Sequence, residues 1–198
     1  MTDVGLTGLT HAEQVRRLAH GGASLIQLRD KTSSGREFFE SARAALIEAR
    51  ECRVKLIIND RADIAAAVGA DGVHLGQNDL PAAAARELLG PRAIIGLSTH
   101  NLSQAMAATR LPIDYLALGP IFMTSSKDDT EPELGLEGLK DVRNVVVDFP
   151  LVAIGGITPE RALDVLNAGA SSIAVLSAVL TKPDEISLQT SRLFQAFA

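Results

Sequence analysis

The sequence predicts an α/β protein of the TIM (β/α)8 barrel class, and three observations lead there. Short apolar runs alternate with amphipathic stretches from Gly22 onward. The runs are apolar nearly throughout, as parallel strands covered on both faces are. Polar and charged residues gather just beyond the end of one run after another, which is where such a barrel carries its chemistry.

The runs are residues 24–28, 55–58, 72–75, 93–97, 115–118, 151–154 and 172–176. A helix-like segment, residues 10–20, precedes the first of them. The pattern is therefore an eight-unit barrel whose first strand is truncated, with Met1-Thr2-Asp3 as its last fragment. Thr32-Ser33-Ser34 can cap the next helix, in which Phe38, Phe39, Ala42, Ala45, Leu46 and Ala49 form the apolar stripe and Glu40, Arg43 and Arg50 the wet side. Leu102, Ala105 and Met106, then Leu163 and Leu166, should line later helices in the same way. Thr158-Pro159-Glu160 reads as a cap with proline at the first helical position. Ile186, Leu193, Phe194 and Phe197 suit a closing helix. Asp71 and Asp114 precede strands and should serve turns at the opposite end of the barrel. The longest irregular stretch, residues 119 to about 138, reads as a site loop. No Gly-x-Gly-x-x-Gly follows the first run, which counts against an open dinucleotide-binding sheet.

A chain of 198 residues, 46% hydrophobic and 22% charged, suits a single globular domain spanning residues 1–198. With 19 basic against 24 acidic residues the net charge is −5, and there is no dense Lys/Arg tract. That balance argues against a nucleic-acid partner. No apolar run approaches the ~20 residues of a membrane span and no leader opens the chain, so no membrane partner is expected. One cysteine, Cys52, suits a reducing cytoplasm. A homo-oligomer is compatible with the sequence but not dictated by it.

The candidate chemistry lies at the strand ends. Gln27-Leu28-Arg29-Asp30-Lys31 puts two cations where the first run gives out, and Lys127 follows the hydroxyls of Thr124, Ser125 and Ser126. Three cations at one mouth would bind a strongly anionic ligand. Asp60 and Asp79 follow neighbouring strands, so their carboxylates either share a Mg²⁺ or each cap the next helix. Asp63 reads as a first-turn acid. Gly155-Gly156 and Leu176-Ser177 follow the last two strands, the usual place of a phosphate cradle built from backbone N–H groups. Ser98 and His100 could bond a ligand or move a proton, whereas His74, inside a strand, reads as a bonded interior histidine. No nucleophilic triad and no Cys/His metal cluster is visible.

In order and spacing these motifs resemble the thiamine-phosphate synthase family from about Gly21 to Leu180. The residues that carry the resemblance are Gln27 to Lys31, Ile58-Asn59-Asp60-Arg61, Asp71 to Gln77 with Asp79, Gly96 to His100, Asp114-Tyr115 with Gly119 to Phe122, Thr124 to Lys127, and Ala153 to Ile157. The resemblance implies a transferase that couples a hydroxymethylpyrimidine diphosphate to a thiazole phosphate with loss of pyrophosphate. It implies that Gln27, Leu28, Arg29, Asp30, Lys31, Asn59, Ser98 and Lys127 hold the pyrimidine diphosphate, with Arg29, Lys31, Ser98 and Lys127 closest to the chemistry. Asp60 and Asp79 would bind Mg²⁺. Thr124, Ser125, Ser126, Gly156, Leu176 and Ser177 would hold the thiazole phosphate. Two departures stand out. The family's first strand, which precedes Thr2-Asp3, is missing, through a start site placed downstream or through divergence, and exposed sheet edges are expected. Ser126 replaces the family's usual threonine. A thiazole tautomerase relying on His100, and a non-catalytic barrel binding phosphorylated ligands, are the alternatives.

Overall fold

Seven parallel strands run in sequence order through one sheet in the computed structural model, which describes residues 1–124 and 132–195. They are β1 (Leu25–Leu28), β2 (Lys55–Asn59), β3 (Gly72–Leu75), β4 (Ile94–Thr99), β5 (Tyr115–Leu118), β6 (Leu151–Ile154) and β7 (Ser172–Ala174). The helices are α1 (Val4–Thr7), α2 (His11–His20), α3 (Gly35–Glu51), α4 (Ala62–Val68), α5 (Ala82–Leu89), α6 (Leu102–Ala108), α7 (Gly135–Val146), α8 (Pro159–Asn167), α9 (Ser177–Leu180) and α10 (Ile186–Gln195). Thr10 and Ser34 close full capping boxes with Glu13 and Glu37 at the starts of α2 and α3. Asp71 and Asp114 latch neighbouring strands, accepting from the backbone N–H of Leu56 (2.9 Å) and Ile95 (2.7 Å).

Alternate strand residues divide the interior in two. Ile26, Leu28, Leu56, Ile58, Val73, Leu75, Ile95, Leu97, Leu116 and Leu118 pack outward into the core beneath the helices. By the same alternation Gln27, Asn59, His74, Gly96, Ser98 and Tyr115 face the barrel axis. The helical ring closes where α10 packs on α2, with Gly21 so close to Thr190 that a Cβ would lie 2.4 Å from its Cβ.

The seam between β7 and β1, which do not pair directly, is bridged at its carboxyl end by residues 1–3. Thr2 forms a parallel bridge with Leu28, its N–H donating to the Gln27 carbonyl at 2.9 Å, and the Met1 nitrogen donates to the Val175 carbonyl at 3.0 Å. Residues 1–3 thus occupy the place of the short strand and bridge the edge at Leu28, while the start of β1 stays exposed at Leu25, as expected of a truncated first strand. Thr2 is fully buried, and its Oγ1 lies 2.8 Å from His11 Nδ1.

Several expectations need correction. β4 extends to Thr99, so Ser98 lies within the strand and not beyond it. The site loop ends sooner, because α7 begins at Gly135. Leu102, Met106 and Leu163 point to solvent. Ala105 packs inward as expected, joined by Ala108 in α6, and Ala162 and Val165 pack inward in α8. Phe194 of the closing helix is partly exposed, and Phe197 lies outside the described residues.

Candidate active site at the carboxyl ends of the strands

Asp60 follows β2 at φ +62°, a left-handed conformation that aspartate adopts more readily than most residues. Its N–H donates to the His74 carbonyl at 2.8 Å, which fixes the turn. It does not cap α4, whose first turn is reached through Arg61 with no side-chain cap. Asp79 does not cap α5 either: its Oδ2 accepts from the Gly76 N–H at 2.7 Å, and Pro81 precedes the helix. The two carboxylates instead meet. Burial, a hydrogen bond with Asp79 and the charge of Asp79 push the Asp60 carboxyl above its ordinary value, against the opposing pull of Lys31. Lys31 Nζ stands 3.6 Å from Asp60 Oδ2. Two crowded carboxylates beside a lysine are a donor set suited to a divalent cation with waters and phosphate oxygens as its remaining ligands. Asp63, as expected, stays in the first turn of α4, where Arg61 binds it through two nitrogens.

Arg29 reaches across the seam to Asp3, with Nη1 2.9 Å from Oδ2, so the short first strand sets the position of this guanidinium. Asp30 is occupied within its own loop. Its oxygens accept from the N–H groups of Thr32 and Ser33 (2.9 and 3.0 Å) and from Ser33 Oγ (2.7 Å). Burial opposes ionisation there, but these bonds and the nearby His11 outweigh it, holding the Asp30 carboxyl far below the usual range. Leu28 and Leu176 bury their side chains in the core; Leu28 pairs with Ile58 and bridges to Thr2, and the Leu176 carbonyl accepts from the N–H groups of Val179 and Leu180. Ser125, Ser126 and Lys127 lie outside the described residues.

A polar chain that local spacing does not reveal runs through the barrel axis. In register across β2 to β5 stand Asn59, His74, Gly96 and Tyr115. Gly96 has no side chain, and a Cβ there would sit 2.0 Å from Tyr115 Cζ. The phenol therefore lies across Gly96, stacks on His74 at 5.6 Å between centroids, and brings its hydroxyl to 2.8 Å from His74 Nδ1. His74 Nε2 is 2.9 Å from Ser98 Oγ, while Gln77 Nε2 donates to the Ser98 carbonyl at 2.6 Å. Burial pushes the Tyr115 hydroxyl well up, against a hydrogen bond with Gln27, so the phenol keeps its proton. The interior histidine thus fixes the rotamer of a candidate site serine. His100 turns its Nδ1 to the Gly119 carbonyl at 2.6 Å.

On the far side of the mouth an open depression of about 390 Å³ is lined by Thr124, Gly156, Thr158, Arg161 and Ser177, among others. Gly156 (φ +61°) is required there, since a Cβ would lie 2.6 Å from the Met123 carbonyl oxygen and 2.8 Å from Phe122 Cβ. The turn after β6 is in this way wedged against the loop after β5. Arg161 was not anticipated from the sequence. It stacks on Phe122 at 4.5 Å from the ring centroid.

A family model described as thiamine monophosphate synthase matches residues 1–179. The thiamine-phosphate synthase of Chloroflexus aurantiacus is 46% identical over 185 residues, which covers 93% of this chain and 85% of that protein. That of Chlorobium phaeovibrioides is 48% identical over 184 residues, covering 93% and 86%. Among solved structures, the thiamine phosphate pyrophosphorylase of Pyrococcus furiosus superposes with a TM-score of 0.84 at 38% identity, covering 93% of this chain and 88% of that one. With its strand order, its strand-end carboxylates and these likenesses, the chain belongs to the thiamine monophosphate synthase family.

Proposed function

We propose that the protein couples 4-amino-2-methyl-5-(diphosphooxymethyl)pyrimidine to 4-methyl-5-(2-phosphooxyethyl)thiazole, or its carboxylated tautomer, and releases pyrophosphate. The single observation that carries this reading, beside family membership, is the crowding of Asp60 by Asp79, with Lys31 Nζ 3.6 Å from Asp60 Oδ2. A carboxylate pair kept at a cost in repulsion needs a cation, and the cations around it need an anion.

Asp60 and Asp79 would hold Mg²⁺, which supplies charge neutralisation to the diphosphate when bound. Lys31 and Arg29, with Lys127 from the loop after β5, stabilise the negative charge that collects on the departing pyrophosphate. The C–O bond to the pyrimidine methylene breaks, and its electron pair leaves with the diphosphate. The electron-rich aminopyrimidine spreads the positive charge left on the methylene. The thiazole nitrogen then donates its lone pair to that carbon, forming the C–N bond of a thiazolium. With the thiazole phosphate itself no proton has to move, which agrees with a site that offers alignment and charge in place of an acid–base pair, whereas the carboxylated tautomer would also lose its carboxyl group as carbon dioxide. Ser98, fixed by His74, and Asn59 orient the pyrimidine; Thr124, Ser125, Ser126, Gly156 and Ser177 position the thiazole phosphate. His100, on which a tautomerase would rely, spends its Nδ1 on the Gly119 carbonyl, and tautomerisation leaves the carboxylate pair without a task. The partners are the two phosphorylated substrates, and we assign the reaction to the cytoplasm, where the unpaired Cys52 suits the redox poise.

The test is direct. Purified protein supplied with both substrates and Mg²⁺ should yield thiamine phosphate and pyrophosphate in equal amounts. Failure to form either from both substrates would refute the assignment.

A further inference from the structure

The depression beside Gly156 holds one charged residue among the described residues that line it, Arg161 on the first turn of α8. We propose that Arg161 binds the phosphate of the thiazole substrate as its counter-charge and sets the preference for the phosphorylated thiazole over the free alcohol. This deepens the functional reading above and rests on it.

Three features of the site support the role. The first is charge. Backbone N–H groups and the Ser177 hydroxyl offer hydrogen bonds to a phosphate but no neutralising charge, and a phosphate monoester carries nearly two negative charges at neutral pH. The second is pre-organisation. Arg161 Nη1 donates to the Gly156 carbonyl at 3.2 Å, and the guanidinium carbon rests 4.5 Å from the Phe122 ring centroid. A long side chain held at two points loses less freedom when a ligand arrives. The third is spare capacity. A guanidinium has five N–H donors, and the Gly156 carbonyl takes one of them. No carboxylate among the described residues pairs with Arg161, although Glu160 adjoins it. The Glu160 carboxylate turns to Thr158, whose hydrogen bond is the largest cause of its lowered pKa. The turn that shapes the cradle and the cation at its edge are therefore one unit: Arg161 both ties down Gly156 and faces the same space.

A role confined to the Gly156 turn would affect every thiazole alike, so the test compares two ligands. Calorimetry should follow the phosphorylated thiazole and its dephosphorylated alcohol on wild-type protein, Arg161→Gln and Arg161→Lys, with steady-state kinetics alongside. Arg161→Gln is expected to weaken the phosphorylated thiazole about tenfold or more, the scale of one charge-assisted hydrogen bond. It should leave the alcohol and the KM for the pyrimidine diphosphate unchanged, and Arg161→Lys should fall between. Equal weakening of both thiazoles, or no change in either, overturns the proposal. Should Arg161→Gln fail to fold, the lysine variant carries the same comparison. If wild-type protein binds the phosphate ester with this preference but forms no product, the coupling reading fails and Arg161 stands. If product forms and the variant's KM for the thiazole phosphate is unaltered, Arg161 alone fails.

Discussion

Asp60 is the residue on which most depends. It takes a left-handed backbone and a like-charged neighbour, and neither serves folding. Asp60→Asn keeps a residue that tolerates that conformation and removes the repulsion. Coupling should fall a hundredfold or more, while the metal-free protein should melt roughly 2–4 °C higher, the effect of about 1 kcal/mol in a chain of this size. The sign with pH follows. A carboxyl held above its ordinary value of 3.8 adds nothing unfavourable below that value, and opposes folding as pH rises through its raised pKa. The gap in melting temperature should therefore open on going from about pH 4 to pH 7, and a gap that narrows instead would contradict the charge assignment. Asp60 and Asp79 were legible in the sequence because each falls one to four residues beyond an apolar run. Their nearness in space was not, since helix capping explained the same spacing. The contact of Tyr115 with Gly96 was not legible, because it follows from register across β3, β4 and β5, which no local pattern records. Gly96→Ala should displace a rigid ring, cost roughly 1–3 kcal/mol in urea denaturation, and raise the KM for the pyrimidine diphosphate by freeing Ser98.

Among the elements, the strands were read to within two residues, because parallel strands buried on both faces are short and almost wholly apolar. Helices were read less well. In α6 the large residues Leu102 and Met106 face water and the alanines face the barrel, an inversion that periodicity alone cannot detect. The most compact element repays a test. Thr2, within the three-residue stand-in for a strand, gives His11 its hydrogen bond at Nδ1, and His11 Nε2 already lacks a hydrogen bond, with Asp30 Oδ2 3.5 Å away. Thr2→Ala should leave a buried imidazole unsatisfied and cost about 1–3 kcal/mol, read as a fall in melting temperature of several degrees. Burial is the main cause that lowers the His11 pKa, so its neutral form belongs to the fold. Its contribution is complete above the ordinary value of 6.5 and is lost as pH falls through the lowered one. Wild-type stability should thus decline below about pH 6.5, and His11→Asn should flatten that decline.

At the scale of the molecule, the order of strands and the mouth at their carboxyl ends were legible from alternation alone. How the barrel meets itself was not. The seam is bridged by Thr2 and Met1 beneath the α2–α10 contact, and Asp3, at its outer end, holds Arg29. Barrel closure and the placement of a site cation are therefore the same set of contacts. Lys31, from the loop after β1, stands beside Asp60 and Asp79, which come from the loops after β2 and β3. The property that the proposed function requires is that Asp60 and Asp79 would hold a divalent cation and that a diphosphate would bind well only in its presence. Calorimetric titration of pyrophosphate into wild-type protein, Asp60→Asn and Asp79→Asn, with and without Mg²⁺, measures that property without turnover. Wild-type protein should bind pyrophosphate at least tenfold more tightly with Mg²⁺ than without, and both variants should lose that difference. Pyrophosphate binding that is the same with and without Mg²⁺, or that survives both substitutions, would contradict it.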